Sequence, residues 1–355
     1  MNEPLAHARD ALLSWYDEGS RELPWRGTSD PYAIWVSELM CQQTRVDTVI
    51  PYFQRWMAAL PTIEALARAS IDDVLLLWQG LGYYRRARHL HAGAQRVMED
   101  FGGEIPRQVE QLRSLPGIGD YTAGAIASIA FQEPAPALDG NVLRVFSRVL
   151  RSAAPIDTSA GVRPIRSFAE AFVQGPRPGD VNQALMELGA TLCTPHAAPC
   201  KQCPLSTICE AATHGDALAY PVKKNKTAVR EETVHAWVIS RADGALWVTK
   251  RRADQLLGGL WEFPLLAEPP HGPEWTYVGE EKHVFSHIHM RIQIWHHALE
   301  DEDPEPGEDV QALPTHARYD EGRWADHRAL RSLAQSTLMR KIRAASDKKG
   351  QLPLL

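Results

Sequence analysis

The chain of 355 residues has no long apolar run, no apolar N-terminal segment and no surplus of basic residues. A helix needs about 20 consecutive apolar residues to cross a bilayer, and residues 1–10 lack the apolar core of a signal peptide. We therefore expect a cytoplasmic protein without membrane contact. Because 38 Lys and Arg are outnumbered by 44 Asp and Glu, the overall charge gives no support to nucleic-acid binding. Any such function must depend on local basic groups and backbone N–H donors.

Cysteine is also scarce, since the chain contains only five. Four of them follow one another with the spacing C-x6-C-x2-C-x5-C: Cys193, Cys200, Cys203 and Cys209. Structural disulfides are rare in the cytoplasm, so the spacing predicts metal ligation. Four thiolates suit either zinc or an iron–sulfur cluster, and physical chemistry alone does not choose between them. We interpret the fifth, Cys41, as a small core residue.

The most informative stretch of the sequence is residues 115–141, LPGIGDYTAGAIASIAFQEPAPALDGN. Gly117 and Gly119 permit a sharp turn that exposes backbone N–H groups. We predict that Asp120 caps a helix over residues 121–131. A helix N-terminus beside bare N–H groups is a suitable site for a nucleic-acid phosphate. Asp139 then places one carboxylate at the next helix start.

A lone carboxylate, Glu38, lies within the apolar run 34–41 (IWVSELMC). Burial disfavours the charged form and raises a carboxyl pKa, so Glu38 is a candidate general acid near neutral pH. Gln43 and Thr44 follow it directly. A second stretch, GLGYYRRAR at residues 80–88, combines two aromatic rings with three arginines. Rings can stack on or wedge between bases, and arginine binds phosphate.

Beyond residue 220 the pattern changes. Residues 221–232 have the polar, basic composition of a linker, and strands are predicted over residues 233–240 and 245–250, joined by a turn. A glycine- and aromatic-rich loop follows at residues 257–264, and a terminal helix is predicted over residues 330–342. This half therefore has an α+β composition.

Taken together, the motifs resemble the endonuclease III superfamily of helix–hairpin–helix DNA repair glycosylases, most closely its adenine-removing branch. LPGIG matches the hairpin, and Asp139 matches the catalytic aspartate. The resemblance implies a multi-domain protein: an all-α glycosylase core with a [4Fe–4S] cluster loop, and a C-terminal α+β Nudix-like domain. The expected divisions are a helical region 1–220, a linker 221–232, the Nudix-like domain 233–345 and a flexible tail 346–355. Within the helical region, residues 30–135 would form a six-helix barrel module and residues 1–29 with 136–220 the cluster module.

The resemblance also implies roles for single residues. Glu38 would protonate adenine and Asp139 would stabilise the sugar cation, with Tyr121 and Asn141 ordering the pocket around both acids. The expected DNA contacts are Arg26, Gln43, Thr44, Leu81, Gly82, Tyr83, Gly117 and Gly119. Phe285, Ser286 and His287 would recognise 8-oxoguanine. Cys193, Cys200, Cys203 and Cys209 would hold the [4Fe–4S] cluster.

The implied substrate is double-stranded DNA with adenine opposite 8-oxoguanine or G. A bifunctional endonuclease III-like glycosylase/lyase is one alternative, but Tyr121 stands where those relatives carry the lysine that forms a Schiff base. A DNA-damage binding protein without catalysis is another, and the presence of both acids argues against it. No Glu-rich Nudix box follows Pro264, so the C-terminal domain is expected to read a base without hydrolysing a nucleotide.

The last five residues, 351–355 (QLPLL), resemble the short peptide with which bacterial repair proteins dock on the sliding clamp. Gln351 would enter a polar pocket, and Leu354 and Leu355 an apolar one. We expect the protein to be a monomer that makes this contact through its tail.

Overall fold

The computed structural model describes residues 3–224, 229–299 and 318–348, which pack as two units. Unit 1 comprises Met1–Arg68 and His89–Lys226, and unit 2 comprises Ala69–Arg88 and Thr227–Leu355. The division differs from the one expected from the sequence, because Ala69–Arg88 packs with the C-terminal residues. The clamp-like peptide 351–355 and the acidic stretch 300–317 lie outside the described residues.

The described helices of the first 224 residues are mostly short and follow one another closely. They are α1 Glu3–Gly19, α2 Pro31–Cys41, α3 Val46–Ala59, α4 Ile63–Arg68, α5 Ile71–Trp78, α6 Arg85–Asp100, α7 Val109–Arg113, α8 Asp120–Phe131, α9 Gly140–Val149, α10 Ser159–Phe172, α11 Pro178–Thr191 and α12 Glu210–His214. Several begin at side-chain caps: Asp30 accepts a hydrogen bond from the Tyr32 N–H, and Asp139 accepts one from the Val142 N–H. Such caps satisfy backbone donors that a helix start leaves unpaired.

Two groups of packed helices form the buried parts of unit 1 and position its candidate site residues. Helices α2 and α8 pack against each other, and nearly every residue of both is buried, which is why their sequences are apolar all round. A second core joins α1, α9, α10 and α11 to the cysteine loop and includes Leu12, Phe146, Phe172 and Cys209. Glu38 therefore lies on a buried helix, whereas Arg26 and Gln43 lie in the segments before and after it.

Unit 2 contains one mixed β-sheet, which has seven strands among the described residues. The strands are β1 Arg230–Ser240, β2 Leu246–Arg251, β3 Trp261–Glu262, β4 Leu265–Leu266, β5 Thr276–Val284, β6 Ile288–Ala298 and β7 Tyr319–Ala325. Their order is β3-β2-β1-β6-β5, with β4 beside β1 and β7 beside β2. The pair β1–β6 is parallel, and the other pairs are antiparallel. The two strands predicted from residues 233–240 and 245–250 are therefore present.

Two sequence predictions about helices are wrong. Asp120 does not cap α8; the N-cap is Gly119, and the Asp120 carboxylate instead pairs with Arg113 and Arg166 at 2.9 and 2.8 Å. The terminal helix expected over residues 330–342 is two helices, α13 His327–Arg331 and α14 Thr337–Lys348. The chain between them forms an isolated bridge from Gln335 to Trp261 of β3, and that sheet contact replaces the helical hydrogen bonds.

Candidate active site

A cavity of about 700 Å³ opens in unit 1. It is lined by the end of α2 and the segment after it, by the starts of α8 and α9, by α11, and by the loop before α2. The predicted site residues on its wall are Arg26, Glu38, Gln43, Thr44, Tyr121, Asp139 and Asn141. The fold thus brings together residues that the sequence separates by about a hundred positions.

Glu38 lies on the buried helix α2 with only 9% of its surface exposed. The Tyr121 hydroxyl donates a hydrogen bond to its Oε2 atom. Burial raises the pKa of Glu38 to about 7, and the negative charge of Asp139 acts in the same direction, while the bond from Tyr121 opposes the shift. As the sequence indicated, this carboxyl group can hold a proton near neutral pH and give it up to a base in the cavity.

Asp139 is oriented by the helix that it begins. Its Oδ1 accepts a hydrogen bond from the Val142 N–H at 2.7 Å, and its Oδ2 accepts one from the Asn141 amide, also at 2.7 Å. Burial raises the pKa of Asp139, whereas these bonds and Arg144 counteract the rise. Arg144 in turn donates to the Asn141 Oδ1 at 2.8 Å. Both oxygens are therefore fixed by donors that favour the charged form.

The sequence interpretation missed Glu187, which lies on α11 and lines the same cavity. This buried carboxylate accepts hydrogen bonds from Arg21 Nε at 2.6 Å and Nη2 at 2.9 Å, and it also pairs with Arg26. Burial works to raise its pKa, but the two arginines outweigh that effect and hold the pKa below its ordinary value. Its signal in the sequence is weak, because α11 also carries Asp180, Asn182 and Gln183, and Glu187 does not stand out as Glu38 does.

The segment that follows α2 carries the next predicted contacts. Gln43 adopts the left-handed conformation at φ = 58°, which is uncommon for a residue other than glycine and recurs at functional sites. The Gln42 amide donates to Thr122 on α8 at 3.3 Å and ties the segment to the hairpin helix. Cys41, expected in the core, is only partly buried and lines the cavity.

The hairpin at residues 115–119 is a tight turn between α7 and α8, closed by a hydrogen bond from the Ile118 N–H to the Leu115 carbonyl. Gly117 has φ = +77°, and a Cβ atom there would lie 2.5 Å from the Cβ of His89. Gly119, the N-cap, makes no side-chain cap of its own. The start of α8 is therefore shaped to receive an anion at its backbone N–H groups.

The four clustered cysteines line one small pocket. All four are free thiols, and the pocket wall also carries Arg148. The Arg148 Nη1 atom donates to the Cys193 sulfur at 3.1 Å, while its buried Nη2 has no hydrogen-bond partner among the described residues. Four thiols beside an unsatisfied cation form a donor set suited to an anionic thiolate-bound group. Within residues 3–224, 229–299 and 318–348, no three acidic, histidine or cysteine side chains converge on a point that would hold a single metal ion.

The remaining predicted contacts lie in unit 2. Leu81, Gly82 and Tyr83 form the loop before α6, and Phe285, Ser286 and His287 form the tip that joins β5 to β6. The Tyr83 hydroxyl and the Ser286 hydroxyl are 2.7 Å apart, so the structure brings the two predicted DNA-contact segments together. Tyr83 is 46% exposed, and it adopts the left-handed conformation at φ = 48°.

Comparison with known families and structures defines the class first. A model described as "HhH-GPD superfamily base excision DNA repair protein" matches residues 36–159, and one described as "NUDIX domain" matches residues 235–345. A solved thermostable thymine-DNA glycosylase is 26% identical, with a TM-score of 0.55 over 60% of this chain and 98% of that one. An endonuclease III bound to DNA shares the fold at 21% identity and a TM-score of 0.50, over 61% of this chain and 98% of that one. The helical fold is that of a base excision DNA repair glycosylase.

Full-length relatives then narrow the class. The adenine DNA glycosylase of Rattus norvegicus is 37% identical over 94% of this chain and 77% of its own, and that of Homo sapiens is 36% identical over 94% and 73%. The enzyme of Buchnera aphidicola subsp. Schizaphis graminum is 33% identical over 81% and 82%. The chain belongs to the adenine DNA glycosylase family, whose members remove adenine from DNA in base excision repair. Among its described residues, no helix is long and apolar enough to cross a membrane.

Proposed function

We propose that the protein hydrolyses the N-glycosidic bond of adenine mispaired with 8-oxoguanine or G, and that it leaves the DNA strand intact. The observation that carries the proposal is the hydrogen-bonded set Glu38–Tyr121 and Asp139–Asn141 on one cavity wall. A base can react there only after it leaves the helical stack, and the cavity is large enough to receive one.

Glu38 acts as the acid. Adenine is a poor leaving group until it is protonated, and a carboxyl group with a pKa of about 7 carries the required proton under neutral conditions. As the bond breaks, the sugar gains oxocarbenium character, and the oriented carboxylate of Asp139 stabilises that charge or bonds to the anomeric carbon. Glu38 then takes a proton from the attacking water. The scheme follows the two-carboxylate logic of retaining glycosidases.

Tyr121 supports hydrolysis rather than strand cleavage. A lyase needs an amine that attacks the sugar and forms a Schiff base, and a phenol cannot do so. Here the phenol is already engaged as a donor to Glu38, and burial raises its pKa well above the ordinary value. Tyr121 therefore stays protonated and orients the acid.

Arg26 and Glu187 support recognition of the base rather than of phosphate. Both lie on the cavity wall, and Glu187 is held by two guanidinium groups. A carboxylate can accept a hydrogen bond from an exocyclic amine, and a guanidinium can donate to ring nitrogens. We assign these two residues to reading the edge of adenine.

We assign reading of the opposite base to Tyr83 and to the tip Phe285–Ser286–His287. The Ser286 and His287 side chains are exposed and can hydrogen-bond the N7–H and O8 groups that distinguish 8-oxoguanine from guanine. Tyr83 supplies an exposed ring that can wedge beside the lesion. Gln43, with Thr44, would fill the gap that adenine leaves, and Leu81, Gly82 and the hairpin glycines would contact the DNA backbone.

The cysteine pocket fits a [4Fe–4S] cluster held by Cys193, Cys200, Cys203 and Cys209. Such a cluster would supply a rigid anionic crosslink, and Arg148 provides the adjoining positive charge.

The tail 351–355 is assigned to a sliding clamp, and a chain lacking it should keep adenine release while losing clamp binding. A DNA substrate supports a cytoplasmic, nucleoid-associated location.

The test is release of adenine from a duplex with one A opposite 8-oxoguanine, compared with the same duplex carrying A opposite T. Release without strand scission supports the proposal. A nicked strand and efficient trapping by borohydride would favour the bifunctional alternative. Tight binding of the lesion duplex with no release under single-turnover conditions would favour the binding-protein alternative.

A further inference from the structure

The loop that carries Tyr83 is held from both sides by other residues of unit 2. Before the loop, Asp72 on α5 pairs with Lys250 of β2, with Oδ1 and Nζ 2.7 Å apart. After the loop, Arg88 donates to the carbonyl of Gly258. Segment Ala69–Arg88 is therefore attached near both of its ends to other residues of unit 2, at strand β2 and at the loop that precedes β3.

Between these attachments, two side chains bind the backbone of one buried residue, Gln335. The Gln335 N–H donates to the Gln79 side-chain oxygen at 2.8 Å, and the Tyr84 hydroxyl donates to the Gln335 carbonyl at 3.4 Å. Gln335 is 5% exposed and bridges to Trp261, so its position is set by the sheet. A buried backbone N–H and a buried backbone C=O each require a partner, and here the residues on either side of Tyr83 provide them.

The Tyr84 hydroxyl also closes the loop on itself, because it accepts a hydrogen bond from the Gly80 N–H at 3.0 Å. Gly82 and Tyr83 then take consecutive left-handed conformations, at φ = 78° and 48°. The left-handed conformation is uncommon for a residue other than glycine, and at Tyr83 it persists only where the surroundings over-determine it. The result is that the Tyr83 hydroxyl stands 2.7 Å from the Ser286 hydroxyl.

We propose that Gln79 and Tyr84 are positioning residues for discrimination of the base opposite adenine. By binding the backbone N–H and C=O of Gln335, they hold Tyr83 against Ser286. The ring of Tyr83 and the tip that carries Ser286 then contact DNA as one preformed surface. A surface that is already in place avoids the entropy cost of ordering two loops on binding. The inference rests on the proposed function, in which Tyr83 and Ser286 contact the base opposite adenine.

The decisive variants are Gln79→Leu, which removes the acceptor at similar size, and Gln79→Glu, which keeps an acceptor oxygen. The measurement is the single-turnover rate of adenine release opposite 8-oxoguanine and opposite G. Gln79→Leu should narrow the ratio of the two rates by about three- to tenfold, the range expected for one lost hydrogen bond. Gln79→Glu should restore most of the ratio, which a merely structural role for the side-chain volume would not predict. Gln95→Leu, the same change at an exposed position of α6, should leave the ratio unchanged.

Tyr84→Phe provides an independent arm because it removes only a hydroxyl group, and it should narrow the ratio in the same direction. The double variant Gln79→Leu with Tyr83→Phe should narrow the rate ratio by less than the product of the factors found for the two single variants, because Gln79 acts through the Tyr83 hydroxyl. If wild type does not discriminate between 8-oxoguanine and G, the proposed lesion reading fails, and this inference fails with it. If wild type discriminates and Ser286→Ala narrows the ratio, while Gln79→Leu and Tyr84→Phe do not, only the positioning role is overturned. Equal losses in Gln79→Leu and Gln79→Glu would also overturn it.

Discussion

At the scale of single residues, the burial of Glu38 changes how the stability of the fold depends on pH. Its pKa rises from 4.5 to about 7 because the helix buries it. The folded protein therefore binds a proton that the unfolded chain has lost between those two values. Stability contributed by the protonated group is complete below pH 4.5 and is lost as pH rises through about 7. Burial thus favours the protonated acid and opposes its ionised form.

The first prediction follows from the raised pKa of Glu38. Glu38→Gln should bind the lesion duplex and lower single-turnover adenine release by at least about 10²- to 10⁴-fold, because glutamine cannot donate the proton. Wild-type release should decline as pH rises through about 7. In thermal unfolding, the variant should gain stability relative to wild type between pH 5 and pH 8, since it has no buried carboxyl group to ionise. Near-normal release by Glu38→Gln would remove Glu38 from the mechanism.

A second residue-scale prediction concerns the reaction type. Tyr121→Lys places an amine on the cavity wall beside Asp139 and should confer some strand nicking, detected as a borohydride-trapped adduct on denaturing gels. The control is Tyr121→Phe, which removes the hydrogen bond to Glu38 without adding an amine. It should slow release and yield no adduct. Efficient trapping of the wild type would contradict the monofunctional assignment.

At the scale of elements, the hairpin offers a matched pair of glycines. Gly117→Ala puts a residue with a Cβ atom at φ = +77° and within 2.5 Å of His89, so the turn must shift. The left-handed conformation alone costs about 1–2 kcal/mol. Gly119→Ala adds its Cβ in open space at φ = −94° and should fold normally. Chemical denaturation and salt-dependent DNA binding separate the two variants. Equal stability and affinity for both would mean that the Gly117 conformation is not required.

The elements also show what a sequence can and cannot reveal. Apolar patterns and a capping residue located α8, the first two strands and the start of α9 at Asp139, because burial and backbone capping leave local patterns. They failed at residues 330–342, where a non-local bridge between Gln335 and Trp261 interrupts the helical pattern. They failed equally at Asp120, whose carboxylate pairs with Arg166 of α10 and does not cap the backbone N–H groups of α8. Contacts that depend on chain segments far apart in sequence leave no periodic signal.

The same limit applies to the candidate site. Glu38 and Asp139 could be found because each stands out in its own segment. Glu187 shares its helix with Asp180, and the arginines that bind its carboxylate, Arg21 and Arg26, lie more than 160 residues earlier. Likewise, the sequence marked Tyr83 and Ser286 separately, 203 positions apart, and only the fold places their hydroxyl groups in contact.

At the scale of the whole molecule, the cysteine loop connects distant parts of unit 1. Cys209 is buried in the core that α1 shares with α9, α10 and α11, and the other three cysteines pack against that core. A group bound by all four thiolates would tie residues 193–209 together against the core that contains residues of α1 and α9. Arg144 links this loop to the site, because it donates to the Cys193 carbonyl at 2.9 Å and to the Asn141 side chain. Loss of the group should therefore loosen α9, which begins at Asp139.

The last prediction tests that connection. Purified protein should contain about four irons per chain, and Cys203→Ser should lower the iron content. Hydrogen exchange should then accelerate in peptides covering α9 and the cysteine loop, while peptides of β1 and β6 in unit 2 keep wild-type protection, because those strands share no core with the cysteines. Cys41→Ser is the matched control, since Cys41 lines the cavity and not the cysteine pocket. Stoichiometric zinc without iron in anaerobically purified protein would show that the assignment of iron is wrong. Normal protection of α9 in an iron-free Cys203→Ser variant would break the proposed link between the cluster and Asp139.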